Sequence, residues 1–192
     1  GRFRLVLPKT TVYQINLILR EGDLLSELNQ EVKLSKYDIA IIGSSKRQRT
    51  IQKMAQFLDS SILFVKNFNS NLEYKILLCV DDSRATKRAI ILSTLISNQF
   101  SAEIILITVS KTAFFGKGYR NAHTWSEKYL KRKNISYKSR LIRGNPVDVF
   151  IEEAGENHII VMGKAKGNEI VKFLLGSKPI HTAQKANCPV LM

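Results

Sequence analysis

An α/β fold, in which helices cover both faces of a mainly parallel sheet, is what this 192-residue sequence predicts. Three observations point to it. Short apolar runs stop abruptly at Asp, Ser or Gly, as strands buried on both faces do. Between them lie stretches whose apolar residues recur at spacings of three and four, the stripe of an amphipathic helix. The two kinds alternate over ~120 residues, which implies right-handed crossovers between parallel strands.

Taken in order from the clearest segment, Lys75-Ile76-Leu77-Leu78-Cys79-Val80 reads as a strand ending at Asp81-Asp82-Ser83. Ala85, Ala89, Leu92 and Ile96 predict the helix that follows, ended by Asn98 and the next polar residues. Ile104 to Ile107 is a second doubly covered strand, leading through Thr108 and Val109 into a loop with Gly116 and Gly118. Ala122, Trp125 and Tyr129 carry helical spacing, and Tyr137 to Leu141 is the next strand. Val147, Phe150, Ile151 and Ala154 form a stripe at i, i+3, i+4 and i+7. Ile159 to Met162, ended by Gly163, and Val190 to Met192 close the series, with a helix between them starting near Ser177. Ligands of such sheets bind beyond the carboxyl ends of the strands, which draws attention to Asp81, Val109 and Gly163.

The first part repeats the later portion of that plan. Tyr13, Ile15, Leu17 and Leu19 alternate as a strand ending at Arg20-Glu21-Gly22-Asp23, in the manner of Leu141-Ile142-Arg143-Gly144-Asn145. Leu25, Leu28 and Val32 give a helix stripe, Ile39 to Ile42 a strand ended by Gly43, Ile51, Met54, Ala55 and Leu58 another helix, and Ile62 to Val65 a last strand. A polar linker runs from Asn67 to Glu73. The organisation is thus residues 1–70 as a partial repeat and 71–192 as a complete one. Arg2 to Pro8 cannot supply the missing strand, helix and strand, because a crossover alone takes ~10 to 12 residues. Either the first repeat is shortened or its opening residues lie outside this sequence.

Composition narrows the function classes. Hydrophobic residues make up 44 % and charged residues 24 %, ordinary values for a packed globular chain. No apolar run approaches the ~20 residues needed to cross a bilayer, and no signal peptide opens the chain, which therefore reads as cytoplasmic. Cys79 and Cys188 sit in or beside apolar runs, as buried reduced thiols. The formal charge of +14 is spread over both parts, with 11 basic and 6 acidic residues in 1–72 and 19 and 10 in 73–192; it attracts anions without selecting one.

Catalytic and metal signatures are absent. There is no Walker loop and no dinucleotide fingerprint after a strand. His123, His158 and His181 lack metal-ligand spacing and read as surface or strand-edge histidines, and Ser83 has no assignable histidine partner. Adjacent acids Asp81-Asp82 and Glu152-Glu153 diverge, leaving only Asp81 placed for a site. The sixteen aromatic residues follow core spacing and do not interleave with a basic stripe, which argues against a nucleic-acid groove.

Three features together resemble the universal stress protein family over roughly residues 11 to 192, most strongly from Tyr74 onward: Val80-Asp81-Asp82-Ser83 closing the opening strand, Arg143-Gly144-Asn145-Pro146 before a helix, and Val161-Met162-Gly163 followed by Gly176-Ser177 and Cys188-Pro189-Val190-Leu191. Nucleotide-binding members of that family show glycine, two residues, glycine, nine residues, then glycine and serine or threonine. Gly163, Gly176 and Ser177 keep this spacing, but Lys166 stands at the middle glycine and Gly167 follows it. Glycines there let backbone N–H groups approach phosphate oxygens, and Ser177 would add a helix N-terminus. The Lys166 stem either blocks that approach or places an ammonium on the phosphates, and Lys164, Lys172 and Lys178, nearby in sequence, would favour an anion further.

The resemblance implies an adenine nucleotide, ATP or AMP, with Mg accompanying ATP. It implies that Asp81 meets the ribose or adenine edge, that the Val109 backbone reads the adenine, that Met162 packs near the sugar, and that Gly163, Lys166, Gly176 and Ser177 surround the phosphates. It also implies a regulatory or signalling module and not an enzyme, with at most slow ATP hydrolysis. Pairing through last strands, either between Ile62–Val65 and Val190–Met192 within the chain or in a homodimer, follows from the same source. The alternative is a nucleotide-free interaction domain, associated with a membrane ion transporter. The first part has no phosphate cradle: Gly43 is followed by Ser44-Ser45-Lys46-Arg47-Gln48-Arg49 and no glycine-serine pair precedes Ile62.

Overall fold

The computed structural model describes residues 18–35, 37–43, 53–55, 57–58, 60–112, 114–164 and 178–192. Its elements are α1 (Leu24–Leu34), β1 (Ile39–Gly43), β2 (Ser61–Val65), β3 (Lys75–Cys79), α2 (Thr86–Phe100), β4 (Ile104–Ser110), α3 (Lys117–Arg132), β5 (Tyr137–Arg143), α4 (Pro146–Ala154), β6 (His158–Met162), α5 (Lys178–Lys185) and β7 (Val190–Leu191). The strands form one sheet in the order β1-β2-β7-β6-β3-β4-β5. Every pairing is parallel except that of β2 with β7.

The continuous apolar runs have the cause expected of them. On β3, Leu77 and Cys79 enter one core with Phe150 and Ala154 of α4 and Ile180 and Ala183 of α5. Ile76 and Leu78 enter the other with Ala89, Ile90 and Leu92 of α2 and Leu130 of α3. Leu25, Leu28 and Val32 of α1 pack against the first of these cores.

The segment before the linker is built into the same sheet. Leu63 pairs with Leu191 and Phe64 with Val190, and Ile62 and Met192 exchange two backbone hydrogen bonds of 2.8 and 2.9 Å. The expected pairing of these two strands is therefore observed within the chain. Cations reinforce the junction: Lys164 Nζ donates to the Leu58 and Ser60 carbonyls at 2.7 and 3.2 Å, Lys66 Nζ to the Ala186 carbonyl at 3.0 Å, and Arg88 Nε to Ser61 Oγ at 2.8 Å.

Several expectations need correction. The strand expected from Tyr13 to Leu19 lies mostly outside the described residues; within them, Ile18 to Arg20 is not strand and Leu19 is 97 % exposed. Ile51 also lies outside them, while Met54, Ala55 and Leu58 are buried as expected. On α3 the fully buried residues are His123, Ser126 and Leu130; Ala122 and Tyr129 of the expected stripe pack half-buried against the second core, while Trp125 is exposed. Nor do all the aromatic residues follow core spacing, since Phe100 and Phe114 are exposed as well.

His123 and His158 are buried too, contrary to their reading as surface or strand-edge residues. His123 Nδ1 lies 2.8 Å from Thr108 Oγ1 on β4 and its Nε2 2.8 Å from Ser139 Oγ on β5. A neutral imidazole has one donor and one acceptor nitrogen, and two hydroxyls can serve both. His158 Nδ1 donates to the Ala154 carbonyl at 2.7 Å. Burial holds both histidines below the usual value of 6.5, against the weaker opposing pull of Glu127 on His123 and of the Ala154 carbonyl on His158. In this situation the unfolded chain takes up protons first, so stability is full above the unfolded value and is lost as pH falls through it toward the folded values. Urea titrations at descending pH should show a falling midpoint, and His123→Gln should flatten part of that slope.

Candidate functional site

The carboxyl ends of β3, β4 and β6 meet at the centre of the sheet. In register, Cys79 stands opposite both Ile107 of β4 and Met162 of β6, so the residues that follow on each strand emerge side by side. Asp81 leaves β3 there. Its Oδ1 accepts from Ser83 N–H at 3.0 Å, and Thr86 Oγ1 lies 3.0 Å from Oδ1 and 2.9 Å from the Asp81 carbonyl, sharing one proton between them. These contacts fix the carboxylate at the mouth of the β3–α2 turn. Its other oxygen, Oδ2, faces Lys178 Nζ at 4.0 Å.

Val109 is buried and packs with Met162 and Cys79 on the α4–α5 face. Its backbone is aimed differently from its side chain. Ile107 takes the Val80 N–H on the β3 side and Ser110 takes the Gly144 N–H on the β5 side, both at 2.9 Å. Alternation therefore points the peptide groups of Val109 toward β3, beyond the end of that strand. Met162 is buried on the same face as Val109.

Gly163 sits where only a glycine fits. A Cβ on it would lie 2.6 Å from the Ala85 carbonyl carbon and 2.8 Å from both its oxygen and its Cβ. The end of β6 thus packs directly on the backbone of the β3–α2 turn, which also holds Asp81. Lys166, Gly176 and Ser177, the other residues expected around the phosphates, lie outside the described residues.

Two further groups stand beside the site, the first of them expected from its sequence neighbourhood. Lys178, the first residue of α5, has its ammonium 5.8 Å from the centre of the Tyr119 ring as well as near Asp81. Gly118 lets the start of α3 approach Asp82, whose Oδ2 would be 3.0 Å from an added Cβ. No local sequence signal marks Tyr119, or the meeting of Lys178 with Asp81, because the chain brings these residues together from separate crossovers.

The electrostatics suit an anion. Neither Ala85 before α2 nor Gly116 before α3 gives a side-chain cap, and no acidic residue occupies either first turn. Uncapped N–H groups and the positive ends of two helices are left toward this edge. Among the described residues no group of three or more potential metal ligands gathers anywhere.

The sheet and its central carboxyl edge define an open, mostly parallel α/β protein, a class whose ligands bind beyond the carboxyl ends of the strands. The sequence model of the universal stress protein family matches residues 74–192, and the chain belongs to that family. Among solved structures it is similar to a universal stress protein from Archaeoglobus fulgidus at 16 % identity and a TM-score of 0.67, covering 88 % of this chain and 64 % of that one. It is also similar to a universal stress protein crystallised in complex with cAMP, at 23 % identity and a TM-score of 0.53, covering 64 % of this chain and 97 % of that one. At these identities the likeness is one of fold. No curated protein sequence matches the chain. Among the described residues no helix is long and apolar enough to cross a membrane.

Proposed function

We propose that the chain is a regulatory binding module that takes an adenine nucleotide, ATP or AMP, at the carboxyl edge of β3, β4 and β6, without turning it over. The observation that carries this reading is the anchored Asp81 carboxylate beside the outward-pointing Val109 peptide groups. The first offers an acceptor to ribose hydroxyls, and the second a donor and an acceptor to the adenine edge. Lys178 and the uncapped starts of α2 and α3 supply the positive potential for phosphates. A universal stress protein of the same fold was crystallised with cAMP, which agrees with this choice of ligand class.

The first segment, in this reading, is a second, partial repeat that only packs. Gly22 (φ +143°) precedes the N-cap Asp23 of α1 as Gly144 (φ +156°) precedes the N-cap Asn145 of α4. β1 and β2 are parallel, as β6 and β7 are, and β2 meets β7 antiparallel, as two equivalent strands do about a twofold axis.

Mass analysis of small molecules released from the denatured protein, with calorimetric titration of ATP and AMP, tests the ligand. Asp81→Ala should weaken binding by about ten- to a hundredfold, the worth of a hydrogen bond to a charged group. Gly176→Val should abolish retention. Absence of both released nucleotide and titration heat from the unaltered protein would instead favour a nucleotide-free interaction domain, of the kind joined to ion transporters.

A further inference from the structure

Among helices α1 to α5, charge is sorted between the two faces of the sheet. Helices α2 and α3, on one face, hold seven lysines and arginines against the single acid Glu127. Helices α1, α4 and α5, on the other, hold five acids and three basic residues. The basic layer also exposes large apolar groups, as α1 does on the other face at Leu24 and Leu34. Ile91 is 45 %, Leu95 59 % and Trp125 40 % exposed. Lys87, Ile91 and Leu95 recur every four residues and so share one side of α2. The Lys87 ammonium lies 5.8 Å from the Trp125 ring, which places that side next to α3. Trp125 in turn stacks on Tyr129 with ring centres 5.5 Å apart, and the Arg132 guanidinium lies 5.6 Å from the Tyr129 ring.

The geometry points to the outer face of α2 and α3 as a docking surface for an anionic lipid bilayer. Such a surface rewards both features at once: its headgroups attract lysine and arginine, and its boundary region takes tryptophan and aliphatic tips to shallow depth. Single-stranded nucleic acid fits less well, because it needs ring faces open to bases. Here the Trp125 and Tyr129 rings already hold Lys87, each other and Arg132, and a base would have to displace one of them. Helices α1, α4 and α5 of the opposite face carry an acidic excess, so the α2–α3 face is the one expected to lie on the bilayer. The carboxyl edge of the sheet is lateral to this layer, and the inference does not depend on a nucleotide there.

Trp125 is the only tryptophan of the chain, so its emission reports the proposed contact directly. The experiment is sedimentation of the 192-residue chain with vesicles of phosphatidylcholine alone and with about 30 % phosphatidylserine, followed by fluorescence of the bound protein. The expected result is binding to the anionic vesicles only, a blue shift of the emission, and release at about 0.5 M salt. The pair Lys128→Glu with Arg132→Glu should lower partitioning by at least about tenfold, while Lys185→Glu on the opposite face leaves it unchanged. Circular dichroism shows that each variant is folded, and Ile91→Ser with Leu95→Ser gives a second route to the same loss without altering charge. Failure of the unaltered chain to bind anionic vesicles at low salt would overturn the inference. So would binding without a Trp125 shift, equal loss from Lys185→Glu, or salt-sensitive binding to an oligonucleotide or an acidic protein alone.

Discussion

An alanine in place of Phe64 should lower the unfolding free energy by about 3–5 kcal/mol, the loss usual for emptying a fully buried aromatic site. Phe64 is only 1 % exposed, stands opposite Val190, and packs in a core that includes Ile160 and Met192, although it belongs to the segment before the linker. The site cannot collapse easily, since sheet partners hold it on both sides. Urea denaturation followed by Trp125 fluorescence is the informative measurement. That tryptophan lies after the linker, so its transition reports the later segment alone if the two parts unfold separately. A large downward shift of the Trp125 midpoint shows one cooperative unit. A midpoint that stays in place while circular dichroism loses an early phase would show that β2 and β7 meet without sharing stability.

Gly163→Ala should be the next most damaging small change, at about 1–3 kcal/mol. Its new methyl would lie 2.6 Å from a backbone carbon of Ala85, well inside the ~3.5–4.0 Å of a relaxed carbon contact. A side chain could swing away, but the turn between β3 and α2 cannot move without disturbing Thr86, which holds the Asp81 carboxylate. Stability and nucleotide affinity should therefore fall together. Gly43, at the corresponding end of β1, is the control: a Cβ there meets nothing within 4 Å, and Gly43→Ala should leave the thermal midpoint nearly unchanged. Equal effects at the two positions would refute the close-approach account.

Much of the architecture could be read in advance because its cause is local. β3, β4 and β6 are buried on both faces, so their sequences lack polar alternation, and each ends in a residue suited to a turn. The positions of Asp81, Val109 and Gly163 follow from those strand ends. The inward face of α3 was legible only in part: Ala122 and Tyr129 pack half-buried on the core as their spacing indicates, but the fully buried His123 and Ser126 are too polar to mark the centre of that face. Only the hydroxyls of Thr108 and Ser139, on two other elements, make it favourable to bury His123, and nothing near His123 in the chain announces them. Lys178 was expected to favour an anion from its place after Gly176-Ser177, but its approach to Asp81 was hidden for the same reason: it is a meeting of residues from opposite ends of the later segment. The strand-to-strand junction of Ile62–Val65 with Val190–Met192 was legible by family resemblance, whereas the lysine and arginine contacts that brace it were not.

With β2 hydrogen-bonded along β7, the main-chain groups of Val190 and Leu191 are occupied on both flanks, by β6 and by β2. Peptides that recognise a sheet by lengthening it need a vacant rim, and this rim is already filled from within. Among the described strands, only β1 and β5 border the sheet. β5 presents Lys138, Arg140 and Arg143, charges that discourage uninvited strands, while β1 is the uncharged run Ile39-Ala40-Ile41-Ile42-Gly43. Any self-association by strand addition should thus begin at β1 and leave β7 untouched.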